Sequence, residues 1–142
     1  MTATKWARKA VAGFRIKRVY EPAADDDGLR VLVDRLWPRG IAKDKARIDQ
    51  WLKDVAPSNA LRRRFHGNPT MWDEFIAAYG RELAQEPALG AAATLRALGR
   101  KQRVTLLYAA RDQNHNNAAA LKKLLERKNR AQKRPLKAPD KT

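Results

Sequence analysis

The chain has 142 residues, with 31 lysines and arginines against 15 aspartates and glutamates, a net charge of +16 and no cysteine. This length suits one domain with flanking segments, and the lack of cysteine excludes disulfides, thiolate metal sites and cysteine nucleophiles. No apolar run reaches the roughly 18 residues of a membrane-spanning helix, and the first residues lack the apolar stretch of a secretory signal, so we expect a cytoplasmic protein.

The positive charge is concentrated at the two ends of the chain. Residues 1–18 hold six basic residues and no acid, and residues 127–142 hold seven against one aspartate. Such segments bind polyanions, for example nucleic acid or an acidic membrane surface, or they only raise solubility. We therefore divide the chain into a basic arm (1–14), a mildly basic domain (15–127) and a basic tail (128–142). The tail has no apolar pattern and is predicted to be disordered.

The first predicted elements are a short helix in the arm and two strands. Residues 4–14 have the spacing of an amphipathic helix that Gly13 ends, and residues 15–20 (RIKRVY) predict a strand. In the loop that follows, three consecutive aspartates are typical of a solvated acidic turn, because calcium loops space their ligands differently. Residues 29–34 (LRVLVD) predict a second strand, and their apolar run favours one covered on both faces, as in parallel sheets.

Helical spacing then dominates up to residue 98. It predicts a helix at 45–55, a short one between the N-cap Ser58 and Gly67, and another at 88–98 that Gly99 ends. The strongest helical pattern follows Asn68 and Pro69. Its apolar stripe is predicted to be core and consists of Trp72, Phe75, Ile76, Tyr79 and Leu83.

A third strand at 103–109 and a helix at 114–127 complete the pattern. The succession predicts an α/β domain with a short, mostly parallel sheet and helices packed on it in a three-layer-like arrangement. If strands 29–34 and 103–109 are parallel neighbours, their carboxyl ends share the edge where open α/β sheets bind ligands. The polar residues that follow the two strands are Asp34, Arg35, Trp37 and Arg39, and Arg111, Asp112, His115 and Asn116.

Arginines at this edge are the main candidates for ligand binding. The guanidinium fork matches carboxylate and phosphate oxygens, so Arg35, Arg39 and Arg111 are candidate ligands of an anion. Arg35 has a second interpretation, in which it ties the loop to the domain by pairing with a nearby acid (Asp34, Asp49 or Asp112).

The other polar residues each allow two roles. Trp37 stacks on a base or a guanidinium, or it packs as a loop anchor. Asn116 completes the candidate ligand-binding set. Asp34 and His115 are the candidates for catalysis, since a histidine transfers protons near neutral pH. Alternatively, Asp34 orients Arg35 or caps backbone N–H groups, and His115 packs at the start of the last helix.

Metal and cofactor sites are not predicted. His66, His115 and Asp112 lack the i, i+4 spacing of a helical zinc site. The chain has no Walker loop, no GxGxxG and no GxSxG, so we predict no cofactor.

Three stretches resemble the bacterial YeaO-like proteins of domain-of-unknown-function family 488: KRVYEPAADDDGLRVLVDRLWPRG, LRRRFHGNPTMWDEF and VTLLYAARDQNHNNAAAL. The resemblance covers roughly residues 16–126 and implies a compact cytoplasmic α/β domain without an established activity. Longer members of that family pair a strand ending in Asp-Val-Arg with a Cys-His-Arg turn that looks like a rhodanese or phosphatase anion loop. Because this chain has no cysteine, the resemblance does not extend to cysteine-based sulfur or phosphoryl transfer.

The leading functional hypothesis is binding of an anionic, phosphate-bearing ligand at the strand edge through the DRLWPRG and ARDQNHN loops. The alternative is a nucleic-acid-binding accessory protein that uses its basic ends, with the DRLWPRG loop structural. A third hypothesis is a purely structural domain.

Overall fold

The computed structural model describes residues 12–65 and 68–133, with side chains up to residue 127. Within this part of the chain, four parallel strands form one sheet in the order β1-β4-β2-β3. The strands are β1 (Gly13–Arg18), β2 (Leu29–Leu32), β3 (Gln50–Trp51) and β4 (Arg103–Tyr108). The predicted α/β class is confirmed, and so is the parallel pairing of the two apolar strands, β2 and β4.

The described residues also form five α-helices. They are α1 (Lys43–Ala46), α2 (Asn59–Phe65), α3 (Trp72–Leu83), α4 (Ala88–Lys101) and α5 (Asn117–Lys133). The predicted caps are present: Ser58 Oγ accepts from the Leu61 N–H at 3.0 Å, and Asn68 Oδ1 accepts from the Thr70 N–H at 3.1 Å. No helix in the described ranges is long and apolar enough to span a membrane.

The larger hydrophobic core lies between one face of the sheet and helices α2 to α5. Side chains alternate between the faces of a strand, so Val31 and Leu106 point into this core while Leu32 and Leu107 point away from it. Tyr79 of α3 is fully buried and donates its hydroxyl to the Val55 carbonyl. The α3 stripe is therefore core as predicted, apart from its first residue, which is half-buried.

The opposite face is covered mainly by irregular chain. Leu32 and Leu107 pack there against Trp37 and Ile41 from the segment that connects β2 to β3, and against Trp51 of β3. The third layer expected from the sequence is thus a loop with one short helix, α1, and the longer helices share a single face.

This second face also carries a group of charges that we call the Asp27 cluster (Arg15, Lys17, Asp27 and Arg30). The Asp27 carboxylate is 1% exposed and accepts from Lys17 Nζ at 3.0 Å, from Arg15 Nη2 at 3.0 Å and from Arg30. The prediction of a solvated acidic turn is therefore wrong at Asp27, although Asp25 and Asp26 are exposed. A 3₁₀ turn at Asp25–Asp27 aims the third carboxylate back at the sheet.

The predicted helix at 45–55 is also wrong. Helix α1 ends at Ala46, Arg47 has a left-handed backbone with φ 54°, and β3 follows. Contacts with β2 and with the residues that follow it determine the backbone of this segment. Asp49 Oδ2 accepts from the Arg30 N–H at 2.8 Å, and the Trp51 indole donates to the Asp34 carbonyl at 2.8 Å.

Several element boundaries also differ from the prediction. β1 begins at Gly13, so the predicted arm helix is wrong at residues 12–14, and its remaining residues (4–11) lie outside the described part of the chain. Helix α4 continues through Gly99, where a Cβ atom would lie 2.7 Å from the ring of Phe14, so a larger residue would require this ring to shift. Helix α5 runs to Lys133, six residues beyond the predicted end, and the rest of the predicted tail (134–142) lies outside the described residues.

Candidate functional site

A cleft of about 610 Å³ opens at the carboxyl ends of β2 and β4. Since the two strands are parallel neighbours, the residues that follow them, 34–39 and 109–112, line the same cleft. The predicted meeting of the two loops is confirmed. The cleft is lined by all the predicted site residues: Asp34, Arg35, Trp37, Arg39, Arg111, His115 and Asn116.

Asp34 connects the two strand ends. Its Oδ2 accepts from the Ala109 N–H at 3.0 Å, just past β4, and its Oδ1 accepts from Asn117 Nδ2 at 2.9 Å, in the first turn of α5. Asn117 also donates to the Val33 carbonyl at 3.0 Å. Burial raises the pKa of Asp34 above its ordinary value, and the hydrogen bonds from Asn117 and Ala109 offset this only in part. The carboxylate caps backbone and amide donors, one of the two structural roles considered for it.

Arg35 is bound to the backbone of the loop before α2. Its Nη2 donates to the Ala56 carbonyl at 3.0 Å and its Nε to the Pro57 carbonyl at 3.2 Å. The expected ion pair with a nearby aspartate is not what holds it. Half-buried and fixed in this way, Arg35 forms part of the cleft wall and contributes its positive charge from there.

Trp37 anchors its own loop. The indole donates to the Ile41 carbonyl at 2.7 Å, and the ring packs edge-on against Trp51 with centroids 5.4 Å apart. This geometry favours the loop-anchor interpretation over stacking on a ligand. Gly40 ends the motif with φ 81°, a left-handed backbone that glycine adopts without strain.

Asp112 organises the second loop. Its Oδ1 accepts from the N–H groups of Asn114 (2.9 Å) and His115 (3.0 Å), and these bonds lower the pKa of the carboxyl below its ordinary value. Its Oδ2 lies 3.1 Å from Nδ1 of His115. Asn116 is buried and caps α5, with Oδ1 accepting from the Ala119 N–H at 2.8 Å, so its side chain is already used within the protein.

Arg39 and Arg111 are exposed cations in the two loops of the cleft. Among the described residues, neither guanidinium has a hydrogen-bond or ion-pair partner. The backbone that carries Arg39 is held in place, because the Tyr20 hydroxyl donates to the Arg39 carbonyl at 2.8 Å. A third exposed arginine, Arg62 of α2, lines the same cleft and donates to Asn59 of its own helix at 3.0 Å.

Several lining residues were not among the sequence candidates. Their elements reach the cleft only through the tertiary fold, and they include Tyr20, Arg62, Asn68, Trp72 and Asn117. Trp72 had been assigned to the core by its helical spacing. Its ring is half-buried and lies edge-to-face with His115, with centroids 5.1 Å apart and planes at 84°.

The donor set of the cleft suits an anion. Within the described ranges, no three His, Cys, Asp or Glu side chains come together in a way that could hold a metal ion. His66, the third member of the triad considered with His115 and Asp112, lies outside those ranges. The cleft instead presents guanidinium and amide N–H groups, which are donors to oxygen ligands.

The fold and the cleft together define a class, namely small parallel α/β domains with an arginine-lined cleft at the carboxyl edge of the sheet. Within this class, the chain belongs to the family described as the Inactive DUF488-N3 subclade, whose model matches residues 13–140. This family match, together with the identity to YeaO, confirms the resemblance to the YeaO-like proteins of family 488.

The chain is similar over most of its length to bacterial relatives. It is 46% identical over 105 residues to Uncharacterized protein YeaO of Escherichia coli strain K12, covering 74% of this chain and 90% of that protein. It is 48% identical over 111 residues to Uncharacterized protein Mb3100c of Mycobacterium bovis and to Uncharacterized protein Rv3073c of Mycobacterium tuberculosis strain H37Rv, covering 78% of this chain and 92% of each relative. No solved structure gives a significant match.

Proposed function

We propose that this protein binds a small, phosphate-bearing anion in the cleft, in the bacterial cytoplasm, and does not convert it chemically. The observation that carries the proposal is the charge of the lining. Four arginines face two aspartates, and both aspartates already accept hydrogen bonds inside the protein. The arginines are Arg35, Arg39, Arg62 and Arg111.

The four arginines have different roles in this proposal. Arg39 and Arg111 contact the anion, because their guanidinium groups are exposed and unpaired within the described residues and because two parallel N–H groups match two phosphate oxygens. Arg62 adds positive potential from the α2 side. Arg35 acts from the wall, since its donors Nε and Nη2 are directed to backbone carbonyls.

The side chains near the proposed anion support binding without a chemical reaction. The family description carries the word "Inactive", and the chain has no cysteine to act as a nucleophile. Asp34 and His115, the candidates for catalysis, have other roles in this proposal. Asp34 holds the two strand ends together, and the His115 ring is held in place by Asp112.

Calorimetric titration with inorganic pyrophosphate at low salt tests the proposal. We expect Arg39→Ala and Arg111→Ala each to weaken binding by about tenfold or more, because each removes a charge-assisted hydrogen bond. Arg100→Ala is the matched control. It removes the same charge from the exposed last turn of α4, next to the amino end of β4 and thus at the other edge of the sheet. Equal weakening in all three variants, or no binding by the unmodified protein, would overturn the proposal.

The basic ends support a second candidate function, nucleic-acid binding. Part of the N-terminal charge is used by the fold, since Arg15 and Lys17 pair with Asp27. The C-terminal residues 134–142 still hold three basic residues against one acid. Basic segments gain affinity by releasing counterions from phosphates, with little base preference.

A salt titration of single-stranded RNA binding tests this second candidate. If about five phosphates are contacted, log K falls with log salt at a slope of roughly −3.5, and deleting 134–142 flattens the slope by up to about 2. The deletion leaves the described part of α5 intact. Replacing Arg134, Lys137 and Lys141 by glutamine is the matched control and should have the same effect. An unchanged slope in both would show that this segment makes no phosphate contacts.

A further inference from the structure

The cleft has an aromatic side in addition to its arginines. Trp72, at the start of α3, lies edge-to-face with His115 (centroids 5.1 Å apart) and is stacked on Phe75 (5.7 Å, planes at 23°). All three rings line the cleft. Trp72 is half-buried and the His115 side chain is 37% exposed, so both rings have surface open to the cleft.

The dimensions also exceed what a bare phosphate fills. A cleft of about 610 Å³ falls within the roughly 300–1,000 Å³ of sites for small organic molecules. A phosphate ion at Arg39 and Arg111 would leave the aromatic side in water. A ligand that occupies both sides therefore has a charged end and a flat apolar end.

We infer that the ligand is a nucleoside phosphate, with its phosphate at Arg39 and Arg111 and its base against Trp72 and His115. This inference rests on the proposed function and names the ligand class. Every base has a π-face that stacks on an aromatic side chain, whereas a sugar phosphate has none. A free nucleotide and the 5′-phosphorylated end of an oligonucleotide share this chemistry.

Matched ligands separate the contributions of the base and the phosphate. We would titrate the full chain with AMP, with ribose 5-phosphate, which lacks the base, and with adenosine, which lacks the phosphate. Because base stacking is the added contact, AMP is expected to bind about 5- to 150-fold more tightly than ribose 5-phosphate. Adenosine, without the contacts to Arg39 and Arg111, is expected to bind more weakly than AMP by about tenfold or more.

Variants assign the stacking to Trp72. In Trp72→Leu, AMP affinity should fall to that of ribose 5-phosphate, whose own affinity is retained. Trp72→Phe keeps a smaller ring, should fold if the leucine variant does not, and should retain part of the preference. Phe14→Leu is the control, because Phe14 is a half-buried aromatic residue at the amino end of β1, at the opposite edge of the sheet from the cleft, and should leave the preference unchanged.

Each outcome decides a separate question. If ribose 5-phosphate and AMP bind equally, the nucleoside inference is wrong and the proposed anion site stands. If adenosine binds as tightly as AMP, or if none of the ligands binds, the anion site itself is wrong. An AMP preference that survives unchanged in both Trp72 variants removes Trp72 as the stacking residue and overturns the inference as stated. A 5′-phosphorylated trinucleotide that binds more tightly than AMP identifies a nucleic-acid end as the source of the ligand.

Discussion

The Asp27 cluster and the cleft use the same residue types for different purposes. In the cluster, three cations converge on one carboxylate that is 1% exposed, and the Lys17 and Arg30 side chains are 11% and 7% exposed. In the cleft, Arg39 and Arg111 are exposed and have no partner within the described residues. The first group of charges is satisfied by the fold, and the second is available to a ligand.

The comparison shows that the cations of the two regions differ in their partners and their burial rather than in residue type. A buried ion pair is costly to break on one side, because the remaining charge stays in a low-dielectric environment. An exposed arginine contributes little to stability, so the fold does not require its side chain and the guanidinium group can contact a ligand. Four substitution or pH experiments can sharpen this distinction or break it.

The largest effect is expected for Asp27→Asn. The substitution leaves Lys17 and Arg30 buried without their countercharge, so we expect the free energy of unfolding to fall by about 3–5 kcal/mol. Urea denaturation measures the loss. Asp26→Asn is the matched control, because Asp26 pairs with Arg15 at 3.3 Å but is 61% exposed, and such a pair contributes about 0–1 kcal/mol. Equal losses in the two variants would contradict a structural role for the buried cluster.

The second test is the pH dependence of the stability that Asp27→Asn loses. The change with pH is expected to be a fraction of that loss in the free energy of unfolding. Burial by itself raises the pKa of Asp27, but the hydrogen bonds from Ala24, Lys17 and Arg30 outweigh it and hold the pKa below 3.8. As the pH falls through 3.8, the unfolded chain takes up the proton first, so the stability that the carboxylate contributes above this pH is lost below it. The difference in the free energy of unfolding between the unmodified protein and Asp27→Asn should therefore become smaller from pH 5 to pH 3. A constant difference over this range would place the effect elsewhere than in the ionised carboxylate.

Arg35→Ala is expected to have an intermediate effect. The substitution leaves the Ala56 and Pro57 carbonyls, both in buried residues, without their donor, which costs about 1–3 kcal/mol. This is less than a broken buried ion pair, because the acceptors are uncharged. Chemical denaturation gives the value. A change within about 0.5 kcal/mol would show that Arg35 belongs with the free cations of the cleft.

The smallest effect on stability is expected for Arg39→Ala. Since this side chain has no partner within the described part of the chain, the free energy of unfolding should change by no more than about 0.5 kcal/mol. Thermal melts of the two arginine variants, run side by side without ligand, compare them directly. A loss as large as that of Arg35→Ala would mean that the loop depends on Arg39 for its structure.

The elements that could be predicted from the sequence are those with strong local signals. The apolar runs predict β2 and β4, and the N-cap followed by an apolar helical face predicts α3. β3 was missed because Ile48, Trp51, Leu52 and Val55 happen to have helical spacing, while hydrogen bonds to β2 decide the backbone there.

The position of the cleft and part of its lining could be predicted from the sequence, but the rest of the lining could not. Parallel strands bring their carboxyl ends together, so the loops after β2 and β4 could be assigned to one edge. Arg62 and Trp72 come from helices, and their part in the cleft depends on how α2 and α3 pack on the sheet. Asn117 was missed for a similar reason, since only the fold shows that the first turn of α5 reaches Asp34.

The position of β4 in the sheet has a consequence for how the chain folds as it is synthesised. β4 lies between β1 and β2 and is the last strand of the described sheet to be made, and its pairing with β1 joins Gly13 to Arg103. The first hundred residues therefore include β1 and β2 but lack the strand with which both of them pair. Such late, long-range pairing slows folding and prolongs the exposure of unpaired strand edges. In each newly made chain, the sheet can form completely only after residues 103–108 have been synthesised. Until then, the unpaired edges of β1 and β2 can associate with other nascent chains.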